Sequence, residues 1–300
     1  MLKQRTLLAI LVALAVVMTI AVLATRMPGF RRPAPLPPSK GAGPDWQPLR
    51  ASLESYIKSQ RGQFAVYLYD FQSGSEMGIN ENETMYAASS IKLPVVLYLY
   101  TQASKGALSL DETVLYRPDS DYATGSGVIQ YTAAPGNPYS LRTLGNLAIT
   151  ISDNAATKML IRRLGIDNIR SFMGSLGGKV LFPDGRYYST ARDLGLYMRA
   201  TKQFADSNPS LGGTFLYDLR HTITNEGITQ ELPGVSVAHK VGAAGTVATD
   251  VGLVLLDNRP YVLSVLTKDV GDTEVPGFNA IGRISRIVYD YLRAQGASRG

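Results

Sequence analysis

A serine and a lysine three residues apart at the head of a helical stretch can do chemistry that neither does alone. Ser89 and Lys92 open the segment AASSIKLPVVLYLY, and on a helix that spacing places them on one face, one turn apart. A hydroxyl is a weak nucleophile until a neighbour takes its proton, which a lysine can do when burial and nearby cations lower its pKa. A helix N-terminus adds backbone N–H groups that favour negative charge developing on an attacked carbonyl. The same spacing recurs at Ser55 and Lys58 in an ordinary surface-type helical pattern. Taken alone, the pair is therefore more readily read as a helix cap with an exposed lysine.

Two further strings could complete such a site. Ser152-Asp153-Asn154 falls where one apolar run ends and the next helical pattern begins. As plain structure it is a capping tripeptide; as chemistry, Ser152 could relay a proton to a leaving amine and Asn154 could bind a substrate amide. His239-Lys240-Val241-Gly242-Ala243 lies on a late strand. An edge lysine often only blocks aggregation, but a lysine followed by a glycine also suits a substrate lying along the strand.

The elements that must position these strings follow from periodicity. An amphipathic helix is expected over 46–60, and the alternating QFAVYLYDF reads as a strand over 63–71. Helices are expected over 89–103, 141–151, 155–164 and 191–203, the last capped by Thr190 with Asp193 three residues on. Short strands are expected over 235–240, 250–256 and 261–268, then a helix over 281–294. The expected fold class is α+β. The N- and C-terminal strands form one antiparallel sheet flanked by helices, with an all-helical lobe inserted between them.

Composition narrows the function classes. Residues 1–40 carry Lys3, Arg5, Arg26, Arg31, Arg32 and Lys40 and no acid, which is the whole net charge of +6. The rest of the chain is balanced, so a nucleic-acid partner is not expected. With no cysteine and two histidines, disulfides, thiolate catalysis and multi-histidine metal sites are excluded or disfavoured, and no cofactor is expected. Residues 6–25 are uncharged and mostly apolar, long enough to cross a bilayer as a helix. Val22-Leu23-Ala24 also offers a cleavage site, and retention of 1–25 as an anchor is the expectation favoured. Seven prolines between 28 and 48 make 26–48 a semi-rigid linker to a domain over 49–300.

The three strings occur together, in order, each on the expected element, and that combination is a known signature. With SGVIQ, SLRTLGNLAITISDNAATKMLIRRLG, STARDLG and AHKVGAAG, the chain resembles the class A β-lactamase-like serine hydrolases across roughly residues 50–295. The resemblance implies that Ser89 is acylated by a β-lactam or a peptidoglycan peptide and that Lys92 takes its proton. Ser152 and Lys240 would handle the leaving nitrogen and the substrate carboxylate, with the ammonium of Lys92 within hydrogen-bond reach of Ser89. The N–H groups of Ser89 and Ala243 would form an oxyanion hole, Asn154 would hold a substrate amide, and Val241 and Gly242 would line the substrate strand. It further implies a monomer at the cell membrane with its catalytic domain outside the cytoplasm, or secreted if cleaved.

Departures from that pattern shape the expected activity. The family's deacylating glutamate has no counterpart, since no Glu occurs between Glu112 and Glu226; only Asp167 and the turn residue Asp184 lie in the corresponding segment. Val241 stands where a hydroxyl usually binds the substrate carboxylate, and Ala248-Thr249 stands where many relatives carry an arginine. Slow β-lactam turnover is expected, with a D,D-peptidase-like enzyme or a non-hydrolytic sensor as alternatives.

Overall fold

The computed structural model describes residues 43–297. The apolar segment 6–25 and most of the proline-rich linker lie outside these residues. Among the described residues no helix is long and apolar enough to cross a membrane.

A five-stranded antiparallel sheet runs in the order β2-β1-β9-β8-β7, where β1 is Gln63–Asp70, β2 Glu76–Ile79, β7 Val237–Ala244, β8 Val247–Val254 and β9 Tyr261–Lys268. The expected marriage of chain ends is borne out. β1 pairs with β9 from Gln63 opposite Lys268 to Asp70 opposite Tyr261. Alternation in β1 is strict, yet both faces are covered. Ala65, Tyr67 and Tyr69 face the helical lobe. Phe64, Val66 and Leu68 face the helices α1 (Gln47–Lys58) and α10 (Val275–Ala297) across a second apolar layer.

The chain between β2 and β7 supplies the lobe. A two-residue strand β3 (Met85–Tyr86), paired with β6 (Tyr188–Ser189), leads through a 3-10 turn at Ala88–Ile91 into α2 (Lys92–Ser104). That helix is buried on every side, with Leu93, Val95, Val96, Leu97 and Leu99 shielded from solvent. Strands β4 (Thr113–Leu115) and β5 (Pro138–Ser140) pair with each other, with short helices α3 (Pro118–Asp121) and α4 (Ile129–Thr132) between them. Around α2 pack α5 (Leu141–Thr150), α6 (Asn154–Leu164), α7 (Ile166–Ser175), α8 (Ala191–Ser207) and α9 (Pro209–Arg220). Thr190 caps α8 by accepting the N–H of Asp193 at 2.9 Å, as its spacing predicts.

Several boundaries differ from the expectation. The helix expected from 89 is a 3-10 turn before it becomes α. The first helix begins at Gln47, so Pro48 is helical rather than linker; in the first turn its missing N–H costs nothing. Strand β7 continues through Ala244 and β8 starts at Val247, because sheet pairing overrides the weak strand preference of VGAAG. Helix α10 starts at Val275, where Pro276 and Gly277 mask a first turn.

Candidate active site

Ser89 stands on a turn that tertiary contacts hold in place. Ala88 before it has φ +46°, a left-handed conformation that costs a residue with a Cβ about a kcal/mol or more. The turn is clamped to the sheet edge through its neighbours. Ser90 Oγ donates to the carbonyl of Lys240 at 2.9 Å and lies 2.7 Å from Thr249 Oγ1. Thr249 Oγ1 in turn donates to Ala87 O at 2.9 Å. Gly242 is what lets the two backbones meet, since a Cβ there would lie 2.7 Å from both Ser89 N and Ala87 O. Neither Ser90 nor Thr249 was legible as part of the site, because buried hydroxyls bonded to carbonyls carry no sequence signature.

Ser89 on this turn and Ala243 on the strand edge line the same recesses. Ala248 directs its N–H and its carbonyl to Thr267 Oγ1, at 3.1 and 2.7 Å. Its partner across the strand, Ala243, therefore belongs to a pair without mutual hydrogen bonds, and its N–H turns out of the sheet edge. Edge strand β7 thus offers the Ala243 N–H beside the Ser89 N–H at the head of the helical segment.

Lys92, fully buried, reaches the second string. Its Nζ lies 2.5 Å from Ser152 O, 2.6 Å from Asn154 Oδ1 and 3.1 Å from Ser152 Oγ. Ser152 has φ +57°, which turns its carbonyl inward. Asp153 fixes this conformation: Oδ1 caps α6 at Ala156 N (2.9 Å), while Oδ2 accepts from Val128 N (2.7 Å) and Ile129 N (3.0 Å). From the third string, Lys240 Nζ donates to Ser152 Oγ at 3.2 Å and to Val241 O at 3.0 Å. The three strings converge on Ser152, with one ammonium on each side of its hydroxyl.

The expected hydrogen bond between Lys92 and Ser89 is absent among the described residues. The three acceptors around Lys92 Nζ take up its donors instead, the Ser152 carbonyl foremost. Burial pulls the Lys92 ammonium down to about 6, helped by the Lys240 charge and opposed by Asp153. Lys240 is lowered to about 8, by burial first and against the pull of Asp250. At neutral pH the first amine is thus mostly neutral and the second mostly charged. A neutral Lys92 has two hydrogens, which its two obligate acceptors, Ser152 O and Asn154 Oδ1, can fill. Its lone pair is then left for the Ser152 hydroxyl, 3.1 Å away.

Ser89, half-buried, lies where two recesses join. One, of about 470 Å³, is lined by Ser152, Ile223, Glu226, Val241, Glu274 and Phe278, among others. The other, of about 230 Å³, is lined by Tyr86, Asn154, Lys158, Tyr187 and Ala243, among others. Asp167 and Asp184 reach neither recess; they are exposed and pair with Arg170 and Arg186 at 3.0 and 2.9 Å. His239 turns away from Lys240 to the other face of β7, where Asp250 lies 3.0 Å from Nδ1. Its Nε2 is 3.4 Å from Thr222 Oγ1, a hydroxyl already donated to Thr224 O, so no triad forms there. Among the described residues no group of three His, Asp or Glu could hold a metal ion.

Residues 48–292 match the β-lactamase enzyme family. The chain belongs to that family. It is 23% identical over 276 residues to the extended-spectrum β-lactamase PER-1 of Pseudomonas aeruginosa, covering 81% of this chain and 87% of the relative. A β-lactamase of Bacteroides uniformis is 25% identical, with 82% and 91% covered. The solved structure of PBP-A superposes with a TM-score of 0.77 at 28% identity, spanning 87% of this chain and 100% of that one. A second PBP-A structure, of a variant, is an acyl-enzyme complex with penicillin G and has a TM-score of 0.76 at 28% identity. Membership agrees with the resemblance carried by the three strings, and with the α+β fold.

Proposed function

We propose that the chain is a serine acyl-transfer hydrolase acting on a β-lactam or a peptidoglycan peptide amide, with Ser89 as nucleophile. The observation that carries this is the Lys92–Ser152–Lys240 chain, with Ser152 lining the same recess as Ser89 and Ala243. The Lys92 lone pair takes the Ser89 proton as Oγ bonds to the carbonyl carbon, and the oxyanion is held by the N–H groups of Ser89 and Ala243. As the C–N bond breaks, Ser152 passes its proton to the leaving nitrogen and regains one from Lys92, with Lys240 holding the hydroxyl in place. The substrate carbonyl brings Ser89 Oγ and Lys92 Nζ together, as catalytic hydrogen bonds that are loose in a free enzyme tighten on binding. Asn154, on the acyl side, binds the substrate amide.

Release of the ester is the slow step in this reading. The aspartates of the 155–188 segment are engaged with arginines at the surface, so the acyl recess offers no carboxylate to activate water. With Val241 in place of a hydroxyl, a bond to a substrate carboxylate is also lost, worth about 1.5–3 kcal/mol. Residues 6–25 would hold the domain outside the cytoplasm, where both substrate classes lie.

Intact-protein mass spectrometry with penicillin G tests the proposal. A covalent adduct that maps to Ser89, persists over minutes and vanishes in Ser89→Ala is the expected result. Neither adduct nor product at saturating drug would overturn the acylation claim. Rapid, complete hydrolysis without adduct accumulation would overturn the slow release.

A further inference from the structure

The two recesses that meet at Ser89 have opposite charge. Ser152, which in the proposed mechanism protonates the leaving nitrogen, lines the larger recess, so the departing fragment lies there. Asn154 lines the smaller one, which takes the acyl fragment. The leaving-group recess carries two carboxylates, Glu226 and Glu274, and no lysine or arginine lines it. The acyl recess carries Lys158 and no carboxylate.

Local structure places both glutamates at the substrate strand. Glu226 precedes the 3-10 turn Gly227–Thr229, which is pinned by Ile228 N donating to Asp250 Oδ2 at 2.8 Å; Asp250 stands opposite Val241. Glu274 immediately precedes α10, whose Gly277 would meet the Ala248 methyl at 2.7 Å if it bore a Cβ. Ala248 is the partner of Ala243. Neither side chain makes a hydrogen bond or ion pair among the described residues, so both carboxylates remain free to meet a ligand.

The nearby cation, Lys240, is held back from an anionic substrate. Val241 brings no hydroxyl. Lys240 is 1% exposed, and two of its three donors are taken by Ser152 Oγ and Val241 O. A terminal carboxylate in this recess would face two like charges across water-filled space, and a terminal ammonium would face two opposite ones.

We propose that Glu226 and Glu274 make the enzyme select amide substrates whose leaving fragment ends in a cationic amine rather than a carboxylate. This rests on Ser89 acylation and names the substrate class for it. The matching acyl fragment is one that tolerates or bears negative charge toward Lys158.

Three peptides sharing an N-acetyl-D-Ala-D-Ala core test the proposal, one ending in the free carboxylate, one in a methylamide and one in an aminoethylamide. Each is used to slow the labelling of Ser89 by a fluorescent penicillin on the full chain, which reads binding whether or not the peptide is cleaved. The expected inhibition constants rank the amine tightest and the carboxylate weakest, about ten-fold apart at low salt and converging at high salt. The Glu226→Gln/Glu274→Gln double variant should lose that ranking, read as the ratio of the three inhibition constants within the variant. A carboxylate peptide that binds as well as the amine, a ranking untouched by the double variant, or no competition by any peptide would each overturn the selectivity while leaving acylation intact. Failure of the penicillin to label Ser89 would overturn both.

Discussion

Lys92 is asked to be fully buried and to titrate. An unfolded lysine holds its proton up to about pH 10.4, whereas the folded one releases it at about 6. Between those values the unfolded chain binds the extra proton, so this residue makes stability climb with pH by about 1.4 kcal/mol per unit, and below 6 the deficit is complete. Comparing urea unfolding of the parent and Lys92→Met at pH 6.5 and 8.5 isolates the effect. The parent should gain roughly 2–3 kcal/mol relative to the variant over that interval, and equal pH slopes would show that the amine stays charged. The cost is local to the machinery, as expected where a functional group opposes stability.

At the scale of elements, the site depends on how closely edge strand β7 meets the turn before α2. Gly242→Ala should place a methyl within 2.7 Å of Ser89 N and Ala87 O and 2.6 Å of Thr249 Oγ1, pushing the two N–H groups apart. Loss of one such donor costs about 10²–10³-fold. Penicillin labelling should therefore slow at least 10²-fold in a variant whose thermal melt remains cooperative, and an unchanged rate would mean the strand does not form the anion pocket.

The three strings, their order and the elements bearing them were legible because cap, loop and strand each have local signatures. The clamp of Ser90 and Thr249 was not, since it joins residues 159 apart in the chain. Nor were Glu226 and Glu274, which look like surface acids until β8 and α10 bring them to the cleft. The strand ends at VGAAG were missed for a related reason: alanine and glycine carry little strand preference, and only the pairing of β7 with β8 makes them extended.

For the whole molecule, the apolar run 6–25 and the proposed substrates give the domain its proposed place, held outside the cytoplasm by an N-terminal anchor. Limited protease applied to intact cells should remove the domain while a cytoplasmic marker survives. A domain cut only after lysis would place it inside. Within the domain, the sheet is buried on both faces, and the helical lobe presents Ser152 to the sheet edge that carries Lys240. The cleft therefore exists only where the two parts of one chain meet.

The central claim is that a neutral lysine, rather than a histidine or a charged lysine, unmasks the nucleophile. The rate of Ser89 acylation by a chromogenic penicillin in a single turnover, followed across pH 5 to 10, reads that directly. It should rise through an apparent pKa near 6 as Lys92 loses its proton and fall above about 8 as Lys240 does. A rate flat from 5 to 8, or one still climbing toward 10, would contradict it.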